Sequence, residues 1–247
     1  MAIYSICDPL LIYRYYIDMI IMLPTNPGPI GNQPALLVID PQNDFLEEDG
    51  AVYCPSSSVD GIEKVIGNIR HLVHTARDAE IPIIWTKESH RPDLSDYGAE
   101  LLSIEEEHTI AGTEGEQISS AFDISEGDLP AGEYLIKKRR YNCFHNTDLT
   151  HLLSTYDIDT LIIAGVTTNV CVHYTAQGAH ERDYVFRVVE ETTAGSDQHL
   201  HDAAIDMLNY LQPGGVQQLT DVETALKQHD GNDILRRVRS NGSVITR

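Results

Sequence analysis

The chain has 247 residues, enough for one large α/β domain or two small ones with a substantial core. Its 17 Lys and Arg stand against 38 Asp and Glu, a formal net charge of -21, which excludes nucleic acid and anionic membrane faces as partners. Such a surface is expected of a protein held soluble in a salt-rich, halophilic cytoplasm, with self-repulsion as its cost at low salt.

Residues 1–22 are apolar but interrupted by Asp8, Arg14 and Asp18. No uncharged piece approaches the roughly 20 residues that span a bilayer. A basic n-region and a small-residue cleavage site are also missing, so a signal peptide is not expected. The stretch reads as a dispensable extension, an upstream mis-start with the working protein beginning near Met22. A Pro-, Gly- and Asn-rich linker then runs to Gln33, which divides the chain into an extension, 1–33, and a domain, 34–247.

Ala35–Ile39 is a continuous apolar run, as a parallel strand buried on both faces should be, and Asp40 ends it. Ile62, Val65, Ile66, Ile69, Leu72 and Val73 recur at helical spacing and place a helix between Val59 and Ala79. Pro82–Trp85 is the second strand, and the polar, aperiodic excursion from Arg91 to Gln117 is expected to cover one end of the sheet. Tyr134–Ile136 is a short third strand with Lys138 just beyond it. Leu149–Tyr156 reads as a helix with Asn146 or Thr147 near its cap. Thr160–Ala164 is the fourth strand; Gly165 breaks it, and a helix over Val170–Arg182 carries Cys171 near its start. Tyr184–Val189, a helix over His199–Leu211 and a weaker strand over Val216–Leu219 complete the pattern. This alternation predicts a doubly wound, mostly parallel sheet, whose ligands sit at the carboxyl ends of the strands.

Asp40, Lys138 and Cys171 then share one edge of one sheet. Singly, each has a plain reading. Asp40, before Pro41, caps a turn; Lys138 joins Lys137, Arg139 and Arg140 in a solvated basic patch; Cys171 fills a helix–strand contact. Together they supply complementary chemistry. A helix start and a nearby ammonium lower a thiol's pKa, and the thiolate attacks a carbonyl. A carboxylate takes the thiol proton, returns it to the leaving amine and activates the deacylating water. Backbone N–H groups of Thr167 and Cys171 would form the oxyanion hole. The four cysteines, Cys7, Cys54, Cys143 and Cys171, show neither paired nor metal-type spacing, so free thiols in a reducing, cytoplasmic compartment are expected.

Asp40-Pro41-Gln42-Asn43-Asp44-Phe45 resembles the D-x-Q-N-D-F signature of the isochorismatase-like cysteine hydrolases. Lys138-Arg139-Arg140-Tyr141-Asn142-Cys143-Phe144 is similar to their K-x-R-Y-S-x-F segment, and Gly165-Val166-Thr167-Thr168-Asn169-Val170-Cys171-Val172 to their G-V-T-T-N-V-C-V. The motifs run in family order, and the similarity covers roughly 34–219. The resemblance implies a three-layer, doubly wound, six-stranded parallel sheet, an Asp40–Lys138–Cys171 triad, a cis peptide between Val166 and Thr167, and a homo-oligomer, dimer or tetramer. Lys138 is chosen over Lys137 because it lies six residues before Phe144, as the family's Lys does. Alternation agrees, since Ile136 and Lys138 share a face if the strand runs that far. Asn142 and Cys143 depart from the family's Ser and small residue there, which alters the pocket beside the Lys.

Nicotinamidases of this family carry an Asp-x-His and a second nearby His that bind a metal. Glu88-x-His90 is a partial echo and the next histidine, His108, is distant, so no metal and no cofactor are expected. True isochorismatases hydrolyse a vinyl ether, whereas Cys171 tilts this chain toward amides. His90-Arg91-Pro92-Asp93-x-x-Asp96-x-Gly98 and Gly112-Thr113-Glu114-Gly115 resemble the branch acting on ureido or biuret-type substrates. His90 and Arg91 would hold a substrate carboxylate or carbonyl, or else form a salt bridge in an acidic loop. Asn43, Phe45 and Tyr141 are further candidate substrate contacts, with plain core as the other reading of Phe45. The expectation is a cysteine-dependent hydrolase of a small amide or ureide. The alternatives are a vinyl-ether hydrolase, a nicotinamidase, or a catalytically idle binding member.

Overall fold

The computed structural model describes residues 27–102 and 105–245. Six strands, β1 (Pro34–Ile39), β2 (Ile83–Glu88), β3 (Glu133–Lys138), β4 (Thr160–Val166), β5 (Val185–Ala194) and β6 (Val216–Gln217), form one sheet. Their order is β3-β2-β1-β4-β5-β6, and every pair is parallel. The order reverses between β1 and β4, where a doubly wound sheet leaves a crevice at its carboxyl edge. The helices are α1 (Asn43–Leu46), α2 (Ile62–Asp78), α3 (Leu149–Thr155), α4 (His173–His180), α5 (Gln198–Leu211), α6 (Leu219–Leu226) and α7 (Asp233–Ile245).

The continuous apolar runs of β1 and β4 follow from burial on both faces. Leu36, Val38, Ile162, Ala164 and Val166 pack with α1, α2 and α6, while Ala35, Leu37, Ile39, Leu161 and Ile163 pack with α3, α4, α5 and α7. Three layers result, with a core on each side of the sheet. At the switch point β1 and β4 run in register, Ile39 beside Gly165. Gly165 has φ +111°, and a Cβ there would lie 2.0 Å from the Ile39 carbonyl oxygen, so only glycine permits the approach.

Several boundaries differ from the sequence reading. β3 runs past Ile136, where the sequence reading ended it, to Lys138, because Lys137 and Lys138 pair with Lys87 and Glu88 of β2. β6 keeps only Val216–Gln217, and Leu219 opens α6 instead. Cys171 lies in a wide π-type turn, Thr168–Val172, that leads into α4. Residues 27–33, read as linker, belong to the packed body. Ile30 is buried, the Gln33 N–H donates to Asp159 Oδ1, and the Gly28 carbonyl accepts from Arg187 Nε. Burying one isoleucine contributes about 2 kcal/mol toward holding the segment, beside these hydrogen bonds. Of the proposed extension, 1–33, residues 1–26 lie outside the described residues.

The excursion after β2 is tied across the carboxyl edge. His90 bridges Ile110, Gln42 bridges Ile118, and the Thr109 N–H donates to Asp44 Oδ2 at 2.6 Å. Gln42 fixes both sides, its Nε2 donating to the Glu88 and Glu116 carbonyls and its Oε1 accepting from the Glu88 N–H. Among the described residues no helix is long and apolar enough to cross a membrane. Cys54, Cys143 and Cys171 are free and buried, and Cys7 lies outside the described residues.

Candidate active site

Asp40, Glu88 and Lys138 end or follow three adjacent strands, and Cys171 sits in the turn after the fourth. Lys138 Nζ lies 2.7 Å from Asp40 Oδ2, 3.3 Å from Glu88 Oε2 and 3.4 Å from Cys171 Sγ. Cys171 Sγ is 4.0 Å from Glu88 Oε2. All four side chains are buried, Asp40 with 0 % and Cys171 with 3 % of its surface exposed. Asp40 holds φ +47°, the left-handed region that Asp tolerates better than most residues. Thr86 of β2 locks it there, its Oγ1 donating to Asp40 Oδ1 at 2.7 Å and accepting from the Asp40 N–H at 3.2 Å.

The field inside this cluster is set by burial against close pairing. Burial works against the Lys138 ammonium, yet Asp40, Cys171 and Glu88 around it hold its pKa well above the ordinary value. Burial lifts the Asp40 carboxyl, further than Lys138 can lower it, which makes it a stronger base than a surface carboxylate. Burial also opposes the Glu88 charge, but Lys138 and a hydrogen bond from His90 outweigh it and bring its pKa to about 2. For Cys171 burial again dominates; Asp40 and Glu88 add to it, Lys138 opposes it, and the thiol titrates well above its usual value. The expected lowering by a helix start and an ammonium is therefore outweighed. Burial thus favours the thiol form of Cys171.

The turn that presents Cys171 is pinned by residues from distant segments. The Val166–Thr167 peptide is cis. Thr167 Oγ1 meets Cys54 Sγ at 3.1 Å, Thr168 Oγ1 meets His201 Nδ1 at 3.0 Å, and Asn169 Oδ1 accepts from the Ser196 N–H at 3.0 Å. The sequence reading missed Thr86, Cys54, His201 and Ser196; their partners lie 27 to 113 positions away, and no local spacing signals them.

The candidate substrate contacts disperse. His90 has no exposed surface. Its Nε2 lies 3.3 Å from Glu88 Oε1 and 3.2 Å from Glu100 Oε2, its Nδ1 lies 3.7 Å from Asp96 Oδ1, and its ring packs 4.2 Å from that of Tyr97. Burial disfavours its charge, but Glu100 and Glu88 more than compensate and lift its pKa to about 9. His90 thus touches the cluster through Glu88. Phe45 is buried in the core against the edge of His108, and Asn43 Nδ2 donates to the Glu114 carbonyl at 3.0 Å. Tyr141 lines a cavity of about 620 Å³ with Glu100, Arg140 and Tyr174, stacks on Tyr174 and bonds to Glu105. Cys143 is buried, its Sγ 3.8 Å from Thr86 Oγ1.

Glu88, His90 and Glu100 offer ligand atoms within 4.8 Å of one another, a donor set of the kind that takes a divalent first-row metal. Both carboxylates converge on His90 Nε2, at 3.3 and 3.2 Å.

A family model described as an isochorismatase domain matches residues 34–223. The chain is 36% identical over 185 residues to an Arabidopsis thaliana protein named a probable inactive nicotinamidase, covering 71% of this chain and 88% of that one. It is 28% identical over 222 residues to a ureidoacrylate amidohydrolase of Methylobacterium radiotolerans, covering 83% and 85%. The crystal structure of N-carbamoylsarcosine amidase from Thermoplasma acidophilum superposes with a TM-score of 0.61 at 26% identity, covering 76% of this chain and 96% of that one.

Proposed function

This chain belongs to the isochorismatase family, and on that premise we propose that it hydrolyses a C–N bond of a small amide or ureide through a thioester on Cys171. The observation that carries the reading is Lys138 Nζ, 2.7 Å from Asp40 Oδ2 and 3.4 Å from Cys171 Sγ. A base, a cation and a nucleophile so closely set in a buried cluster are arranged for acyl transfer. The amide-cleaving names of two of the three relatives support the same chemistry.

The buried Cys171 thiol attacks the carbonyl carbon while its proton passes to Asp40, whose raised basicity suits it to receive it. The amides of Thr167 and Cys171 hold the oxygen as it becomes anionic. Asp40 returns the proton to the departing nitrogen, leaving a thioester and a free amine or ammonia. A water that gives its proton to Asp40 then attacks the thioester, and the thiol is restored. Lys138 keeps its charge throughout and steadies the two carboxylates and the sulfur around it.

Cys171→Ala is expected to abolish ammonia release across nicotinamide, biuret, ureidoacrylate and N-carbamoyl compounds, and iodoacetamide is expected to label Cys171 in the native protein. Turnover that survives the substitution would sink the thioester and favour vinyl-ether hydrolysis. An unreactive thiol with no turnover would leave the idle reading that the Arabidopsis relative's name favours. The reading further places the protein in the cytoplasm as a homo-oligomer, which light scattering on the purified chain tests.

A further inference from the structure

We infer that Glu88 reads the nitrogen that stays on the scissile carbonyl carbon, which makes this a hydrolase of ureides rather than of carboxamides. The inference rests on the thioester reading above. A carbonyl carbon attacked by Cys171 carries three other groups. Its oxygen turns to the Thr167 and Cys171 amides, and its leaving nitrogen must reach Asp40 for a proton. The third group meets what is left of the polar wall, and Glu88 stands there, its Oε2 4.0 Å from Cys171 Sγ and beside Lys138 at 3.3 Å.

Glu88 is enclosed, and its other oxygen is taken by His90. A carbon substituent pressed against Oε2 strips its remaining access to donors and offers nothing in return, and a carboxylate there repels it. An N–H donates a charge-assisted hydrogen bond to it. In a ureide, R–NH–C(=O)–NH2, either nitrogen can leave, and the other remains on carbon with an N–H for Glu88. Loss of ammonia gives the thioester Cys171–S–C(=O)–NH–R; water releases R–NH–COOH, which falls apart to R–NH2 and carbon dioxide, and the thiol recovers its proton. The length of Glu at this position matters, because the pairing of Glu88 with Lys138 across β2 and β3 directs a four-atom arm to both Lys138 and the sulfur.

Biuret and malonamide test this directly, since they differ only by N–H against CH2 between two carbonyls. The native protein should favour biuret in kcat/KM by about 100-fold or more. Glu88→Gln, which keeps the shape but loses the charge, should shrink that ratio by about tenfold through loss on biuret. Malonamide hydrolysed as well as biuret through Cys171 overturns the role of Glu88 and leaves the thioester standing, and so does a Glu88→Gln variant that loses equally on both. Hydrolysis that persists in Cys171→Ala overturns the thioester itself.

If neither diamide is turned over, cyanate decides. Isocyanic acid adds to the thiol to give Cys171–S–C(=O)–NH2, the smallest acyl group with the N–H in question. The rate of cyanate labelling of Cys171, divided by the rate with methyl methanethiosulfonate, which carries no N–H and corrects for the change in thiol acidity, should be about tenfold greater in the native protein than in Glu88→Gln. Equal ratios overturn the proposal.

Discussion

His90 shows how a side chain that reads as a loop residue becomes an electrostatic part of the site. Glu88 and Glu100 face its Nε2, Asp96 faces its Nδ1, and Tyr97 and His108 close the ring in. Its folded pKa of about 9 lies above the unfolded 6.5, so its contribution is complete below about pH 6.5 and is lost as pH rises through about 9. The term is on the order of 3 kcal/mol. Urea midpoints measured between about pH 6 and 9.5 should fall for the native protein relative to His90→Asn, in which this term is absent. Parallel curves would show that His90 is neutral in the fold. Glu88 was visible in the sequence only as a partial echo of another branch's motif, while His90 was also read as a substrate contact. Nothing in the spacing of Glu88 and Lys138, 50 positions apart, says that they meet; the register of β2 against β3 does.

Among the elements, the β4 turn concentrates the constraints. Gly165 lets β4 close on β1, the turn aims Cys171, and Cys54, His201 and Ser196 hold its side chains from three other segments. Gly165→Ala places a methyl 2.0 Å from the Ile39 carbonyl oxygen in a backbone conformation unsuited to alanine. It should cost more than about 3 kcal/mol by denaturant titration and take activity with it. A variant of native stability would mean that the strands part at the switch without penalty. The break at Gly165 was legible because a glycine inside an apolar run marks close backbone approach. The length of β3 was not, because a lysine that is buried and paired looks in sequence like any solvated one.

At the scale of the molecule, the charge of -21 sets how the fold answers to salt. Raising KCl from about 0.1 M to about 2 M shortens the Debye length several-fold, so the melting temperature should rise as surface self-repulsion is screened. A flat or falling curve would show that the acidic surface costs the native state nothing. The strand runs, the parallel sheet and the three motifs at its carboxyl edge were decided by the sequence alone. Apolar periodicity reports burial on two faces, and strand ends in such a sheet converge whatever the loops do. Tertiary structure alone decided that burial favours the thiol form of Cys171, that His90 is turned inward, and that Glu88 stands within reach of the sulfur. Each depends on burial and on the summed field of charges from four separated segments, and neither quantity is carried by a local pattern.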